Sequence, residues 1–365
     1  CTVCGHCDEA WMSPAADGFY EIGTADQLRW FTEYVAAGHA ANARLTADIT
    51  LNENVLNTDG SLADGSFSQW HPIGSPAAPY SGTFDGQRHT VYGVYISRTE
   101  NNNYPNGGNF SGLFGYVNNA TLKNISVDGG YINGGQYVGG LVGQTVGKTR
   151  IERCHNGNTV KSNYYGMVAG IAGLFESSDS IVSCSNTGQI GVTNTQIYVG
   201  GIAGRLSGRG ILNSINYGNI RGWYYVGAIV GNKAGSSYVV KNCYYLQGTA
   251  IAGTSSKQNG IGSAQGSLMT DTKGNTDAIK AEKFASGELT WLLNGKKASG
   301  TLAWYQNLAT DPYPVLTGNS IVYPITAVCT RSTHKSAYFN RQTGYPAWAE
   351  SSAKCKTAGS QQHTA

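Results

Sequence analysis

Gly139-Gly-Leu-Val-Gly143, then Ala169-Gly-Ile-Ala-Gly173, then Gly200-Gly-Ile-Ala-Gly204 are one motif written three times. Ser111-Gly-Leu-Phe-Gly115 precedes them and Gly227-Ala-Ile-Val-Gly231 follows, so five copies recur at steps of 28, 30, 31 and 27 residues. A second landmark trails each copy: Leu122-Lys-Asn-Ile125, Ile151-Glu-Arg-Cys154, Ile181-Val-Ser-Cys184, Ile211-Leu-Asn-Ser214 and Val240-Lys-Asn-Cys243. Its last position steps by 29, 30, 30 and 29. Two landmarks that hold one period of 20 to 50 residues are the mark of a stacked repeat architecture.

The units are strands rather than helices. Gly pairs, β-branched residues and Asn-Gly turns stand where a helical repeat would need Ala, Leu, Glu and Lys. About three short strands per copy would form one coil of a right-handed parallel β-helix, in which equivalent residues stack about 4.8 Å apart. Val138, Val168, Val199 and Val226 then form one inward ladder, and Leu141, Ile171, Ile202 and Ile229 a second. Asn156, Asn186 and Asn216 form a third, an amide stack at a turn.

Composition agrees. Among 365 residues there are 50 Gly, 23 Tyr and seven Trp, with only 13% charged and a formal net charge of +3. Collagen is excluded because no Gly-X-Y period exists, and disorder by the aromatic content. No Lys/Arg run resembles a nucleic-acid or lipid-headgroup patch, so nucleic acid is not an expected partner. No 18-residue apolar stretch and no signal-peptide core are present, so the chain reads as a mature or excised exported segment without a transmembrane span.

The five copies resemble GLUG-motif repeats of secreted bacterial surface proteins, directly over residues 108 to 250. Phe19-Tyr-Glu-Ile-Gly-Thr-Ala-Asp-Gln-Leu-Arg-Trp-Phe31, Leu45-Thr-Ala-Asp-Ile49 and Tyr80-Ser-Gly-Thr-Phe-Asp-Gly86 are similar to the leader of such proteins. The resemblance implies an all-β solenoid at a bacterial surface or outside the cell, and no defined chemistry.

The organisation follows from there: a Cys-rich segment at 1–17, an N-terminal cap helix with irregular coils at 18–107, the repeat β-helix at 108–262, a small α+β capping unit at 263–318 and a polar, irregular tail at 319–365. Solenoid ends must be covered, because open strand edges recruit other chains. Thr24-Ala-Asp-Gln27 is a capping-box pattern; with Leu28, Phe31 and Val35 at helical spacing and Gly38 as a stop, it predicts a helix over 25–37. Trp70, Phe84 and Ile96 are expected inside the first coils. Thr276 and Asp277 read as start signals for the helical pattern ending at Asn294-Gly295.

Cys1, Cys4 and Cys7, with His6, Cys329 and Cys355, admit three readings: disulfides in an oxidising compartment, a zinc site, or a disordered end. Acylation at Cys1 is a fourth. No other cofactor is expected. Cys154, Cys184 and Cys243 share a repeat position and read as free core thiols. Sugar hydrolysis would need two facing carboxylates, yet no Asp or Glu lies between Asp179 and Asp271. Glu152, Glu176 and Asp179 read as solvated turn acids, and Asp85 as a turn former.

Aromatics offer the candidate ligand site. Tyr137, Met167, Tyr198 and Tyr225 directly precede the inward valines, so alternation turns them outwards, with Tyr165, Trp223 and Tyr224 nearby. The leading functional expectation is a non-enzymatic structural or adhesive surface protein, which would contact other copies of itself, in fibres, or extracellular glycans. A carbohydrate-binding module using the aromatic ladder is the alternative, and a β-helical polysaccharide-degrading enzyme the third reading.

Overall fold

The computed structural model describes residues 12–97, 109–162, 166–191, 198–235, 237–252, 259–262, 276–297, 299–325, 337–340 and 346–348. It divides into two compact units, 1–278 and 279–365. The first is a parallel β-helix of about five regular turns. One coil passes through five short strands, Thr121–Lys123, Ser126–Asp128, Tyr131–Gly134, Tyr137–Gly139 and Val142–Val146. The repeat length suggested three; the glycines admit corners between segments that read as continuous.

Each strand pairs in parallel with its counterparts one coil away. On the first face the inward ladder is Phe84, Leu122, Ile151, Ile181, Ile211 and Val240. On the third it is Ile96, Ile132, Val160, Ile190 and Ile220, and on the fourth Val138, Val168, Val199 and Val226, as the alternation required. All are buried, as are Leu141, Ile171, Ile202 and Ile229 at the following corner.

The second face starts as hydrocarbon, with Ile49, Val91 and Val127 in register, and then carries amides in three successive coils. Asn156 Nδ2 donates to Asn186 Oδ1 and Asn186 Nδ2 to Asn216 Oδ1, each at 2.8 Å. The same three amides donate to the carbonyls of Asn158, Gly188 and Gly218, so the buried groups satisfy one another and the turn. This ladder accounts for the second glycine of the motif. A Cβ added to Gly140, Gly170 or Gly201 would collide with the Asn156, Asn186 or Asn216 amide respectively. In the next coil Tyr245 takes the asparagine register, and there Ala228 stands in the glycine position.

Between the first and second faces the backbone turns through a left-handed residue in every coil: Asn124, Arg153, Ser183, Asn213 and Asn242, with φ from 51° to 55°. Asn tolerates this region better than other non-glycine residues. The next residue points inward, which buries Cys154, Cys184 and Cys243 as the free thiols expected. Where Ser214 replaces cysteine, its Oγ donates to Leu212 O and accepts from the Cys184 N–H.

The fifth face extends past the motif. Parallel bridges join Ile73 to Phe114 and Val230 to Ile261, so Ile73, Phe114, Val142, Ala172, Ala203, Val230 and Ile261 stand at seven levels. The outer two lie in Pro72-Ile-Gly-Ser75 and Asn259-Gly-Ile-Gly262, which keep the glycine of the motif and little else.

Helix α1 (Ala25–Ala36) carries the complete Thr24/Gln27 capping box and stops before Gly38, whose φ is +92°. Leu28, Phe31 and Val35 are fully buried, and the Phe31 ring meets Tyr80 and Phe84 at about 6 Å, sealing the core where the leader joins it. Trp70, Phe84 and Ile96 are inside as expected. The loop around residue 60 reaches further along the stack than a first coil would: Thr159 Oγ1 donates to Gly60 O and Gln189 Nε2 to Asp59 O.

The second unit contains helices α2 (Ala281–Ala285) and α3 (Glu288–Leu293) around buried Phe284, Leu289, Leu293 and Trp304. Buried Gln306 ties it together, accepting from Thr290 Oγ1 and donating to the carbonyls of Phe284 and Asp311. Two expectations are corrected. Thr276 and Asp277 belong to the strand Thr276–Ile279, and α2 starts after Lys280 without a side-chain cap. The tail is not wholly irregular, since Val322–Ile325, Ala337–Asn340 and Pro346–Trp348 form an antiparallel sheet. Among the described residues no helix is long and apolar enough to cross a membrane.

Candidate functional site

The outward face of the fourth ladder is aromatic because each residue before an inward valine must face away from the core. Register places Phe110, Tyr137, Met167, Tyr198 and Tyr225 in one column. Met167 is 9% exposed, so the column is two clusters rather than one strip. Phe110 and Tyr137 stack at 5.2 Å and 23°. Tyr198 and Tyr225 meet at 4.8 Å and 33°.

An exposed aromatic pair immediately precedes Tyr225 of the second cluster in the chain. Trp223, at 46%, and Tyr224, at 37%, are two of only four exposed large hydrophobic side chains among the described residues. They form an edge-on pair at 6.4 Å in the turn leading into Tyr225. The sequence reading missed two members of the column's surroundings. Phe110 was legible, since it stands before Ser111 as Tyr137 stands before Val138. Arg205 has its guanidinium 5.9 Å from the Tyr198 ring centre, and its repeat offset aligns it with Leu174 and Asn232 on the neighbouring face.

Of the four acids singled out, Asp85, Glu152 and Asp179 are ion-paired and Glu176 is exposed. Asp85 accepts from the Gln87 N–H and from Asn124 Nδ2, and pairs with Lys123 at 3.1 Å, which makes it the expected turn former. Burial works against its charge, but the hydrogen bonds from Asn124 and Gln87 and the lysine hold its carboxyl below the usual value. Glu152 and Asp179 are ion-paired rather than simply solvated, and Asp179 stands at a bend as expected. Glu152 lies in a strand, 17% exposed, between Arg150 and Arg153, while Asp179 also pairs with Arg150. Arg150 and Arg153 stand two residues and one residue from Glu152, while the Arg150–Asp179 pair joins successive coils and was invisible until the register was known.

A further polar group escaped sequence reading. His155 Nδ1 lies 2.8 Å from Ser185 Oγ and its Nε2 3.2 Å from Thr187 Oγ1, on the outward side of the asparagine ladder. Burial pushes this imidazole below its ordinary value against the pull of Asp128. Both ring nitrogens are engaged, so the group closes on itself. Tyr165 and the candidate disulfide or zinc ligands Cys1, Cys4, Cys7, Cys329 and Cys355, with His6, lie outside the described residues. Among the described residues no cluster of three His, Cys, Asp or Glu side chains could hold a metal. Chemically, the aromatic column offers flat π faces with an arginine over one of them.

Comparison with known proteins supports the fold. No family model matches the chain. A "Putative Gly-rich membrane protein" of Evansella cellulosilytica is 30% identical over 132 residues, 35% of this chain; the match spans only 13% of that relative's length. A crystal structure described as that of "a putative immunoglobulin A1 protease from Bacteroides ovatus" superposes with a TM-score of 0.51 at 20% identity, covering 83% of this chain and 93% of that one. At that identity the likeness concerns the fold alone.

Proposed function

We propose that this chain is a non-enzymatic adhesive module of a bacterial surface or secreted protein, in which the β-helix is a rigid scaffold and the Tyr198–Tyr225–Tyr224–Trp223 cluster is the contact surface for glycans. The observation that carries the reading is the exposure of Trp223 and Tyr224 in the turn that leads into Tyr225, whose ring pairs with Tyr198. Aromatic faces take up the apolar faces of sugar rings, and large exposed apolar groups on an otherwise polar surface mark interaction sites. A surface location is supported by the glycine-rich membrane protein resembling one third of the chain. Fibre formation is the weaker reading, because α1 covers core side chains that end-on stacking would need bare.

Binding to a glycan array tests the proposal. Trp223→Ala combined with Tyr224→Ala should lower signal on the bound glycans by about tenfold or more, consistent with roughly 1.4 kcal/mol or more of lost binding. An unchanged array profile, or a parent protein that binds no glycan, would refute it.

A further inference from the structure

We infer that the glycan this cluster receives is polyanionic, bearing carboxylate or sulfate groups; the inference rests on the glycan reading above and names its ligand class. The first observation is the distribution of charge along the stack. Residues 12–179 contain fourteen acids and nine bases, whereas residues 180–270 contain six bases and no acid at all. The coils that carry Tyr198, Trp223, Tyr224 and Tyr225 therefore have cations with no acid of their own to neutralise them.

The second observation is where two of those cations sit. Arg205 lies over the Tyr198 ring, and its Nε is shut off from solvent with no hydrogen-bond partner. It makes no ion pair among the described residues, unlike Arg44, Arg150 and Arg153 of the earlier coils. A guanidinium held against an aromatic face keeps its charge and directional donors for an acceptor that arrives from outside. Arg221 is the exposed middle residue of the strand Ile220–Gly222, two residues before Trp223, and likewise makes no ion pair among the described residues. In chain order Arg221, Trp223, Tyr224 and Tyr225 follow one another, and Tyr198 with Arg205 lies against Tyr225 on the preceding coil. One arginine thus lies over the Tyr198 ring, and a second stands two residues before Trp223 in the chain.

This chemistry matches a sugar chain whose ring faces stack while its anionic substituents meet these guanidiniums. A nucleic acid fits less well. Its affinity comes from many phosphate contacts along a dense basic track, and here six cations are spread over 91 residues.

Four probes decide the matter in affinity gel electrophoresis of the full chain: polygalacturonate, dextran sulfate, neutral dextran and single-stranded DNA. We expect the anionic polymers to retard the protein at least about tenfold more strongly than dextran at about 50 mM salt, with the difference shrinking toward about 300 mM. Arg205→Gln with Arg221→Gln should remove most of that preference, while Lys148→Gln, at an exposed turn of an earlier coil, should not. Circular dichroism of each variant confirms that it remains folded. Equal retardation by dextran and polygalacturonate would overturn the inference and leave the glycan reading standing. No retardation by any polysaccharide would overturn both. Retention of the anionic preference in the double arginine variant, or tighter binding of single-stranded DNA than of either anionic glycan, would also overturn the inference.

Discussion

The coils before Asp179 and those after it are built alike inside and differently outside. Both halves share the ladder of Leu122, Ile151, Ile181 and Ile211, the valines of the fourth face and the asparagine stack that crosses the divide. Outside, the earlier coils neutralise themselves through the Arg150, Glu152, Arg153 and Asp179 network, while the later ones expose Trp223 and Tyr224 and carry arginines that make no ion pair among the described residues. The contrast separates two jobs in one repeat. Inward positions are fixed by a shared core; outward positions are free to take on recognition.

If the interior is one continuous design, it should fail equally in either half. The largest effect is expected from Gly140→Ala, whose methyl would strike the Asn156 amide and the Gly170 carbonyl, and from Gly201→Ala in the later coils, which meets Ala228 O and Asn216. Each should cost about 3 kcal/mol or more, because close-packed backbone cannot retreat as a flexible side chain can. Urea unfolding monitored by circular dichroism would show a large fall in midpoint for both. A strong effect in one half and none in the other would break the equivalence.

Next in size is Asn186→Leu, at the centre of the amide stack. It removes an acceptor from Asn156, a donor to Asn216 and a donor to Gly188 O, all buried. Stranding buried polar groups should cost about 2–3 kcal/mol. Asn216→Leu, at the end of the stack, removes an acceptor from Asn186 and from the Gly218 N–H and a donor to Gly218 O, but it disturbs one neighbouring amide where Asn186→Leu disturbs two, so it should cost less. Equal losses at both sites, measured in the same urea titration, would mean that the ladder is not cooperative.

Much of this interior was legible in the sequence. A period kept by two landmarks fixes which residues stack, and alternation within a strand fixes which face inward, so Val138 through Val226 and the three asparagines could be placed without coordinates. What the sequence hid depends on the corners. Five strands per coil rather than three, and the outer levels at Ile73 and Ile261, follow from turns that retain one glycine of the motif. Met167 shows a different limit: alternation gave its direction correctly, but its exposure depends on neighbours. Arg205 was overlooked because its meaning lies in the ring beside it, contributed by the strand before the corner.

The smallest expected effect concerns the seam between the halves, where His155 of an earlier coil reaches Ser185 and Thr187 of the next. Burial keeps the folded imidazole below its ordinary pKa of 6.5, with Asp128 opposing. As pH falls, the unfolded chain therefore takes up this proton first. The stability that the neutral ring contributes is complete above about 6.5 and drains away as pH drops from there through the lowered folded value. Melting curves between about pH 7.5 and pH 5 should show the parent losing Tm faster than His155→Gln, a side chain that keeps hydrogen-bonding capacity without the titration. Parallel declines in the two proteins would remove His155 from the account of acid sensitivity. A steeper decline in the variant would mean that the protonated ring is welcome at the seam, and that Asp128 outweighs burial there.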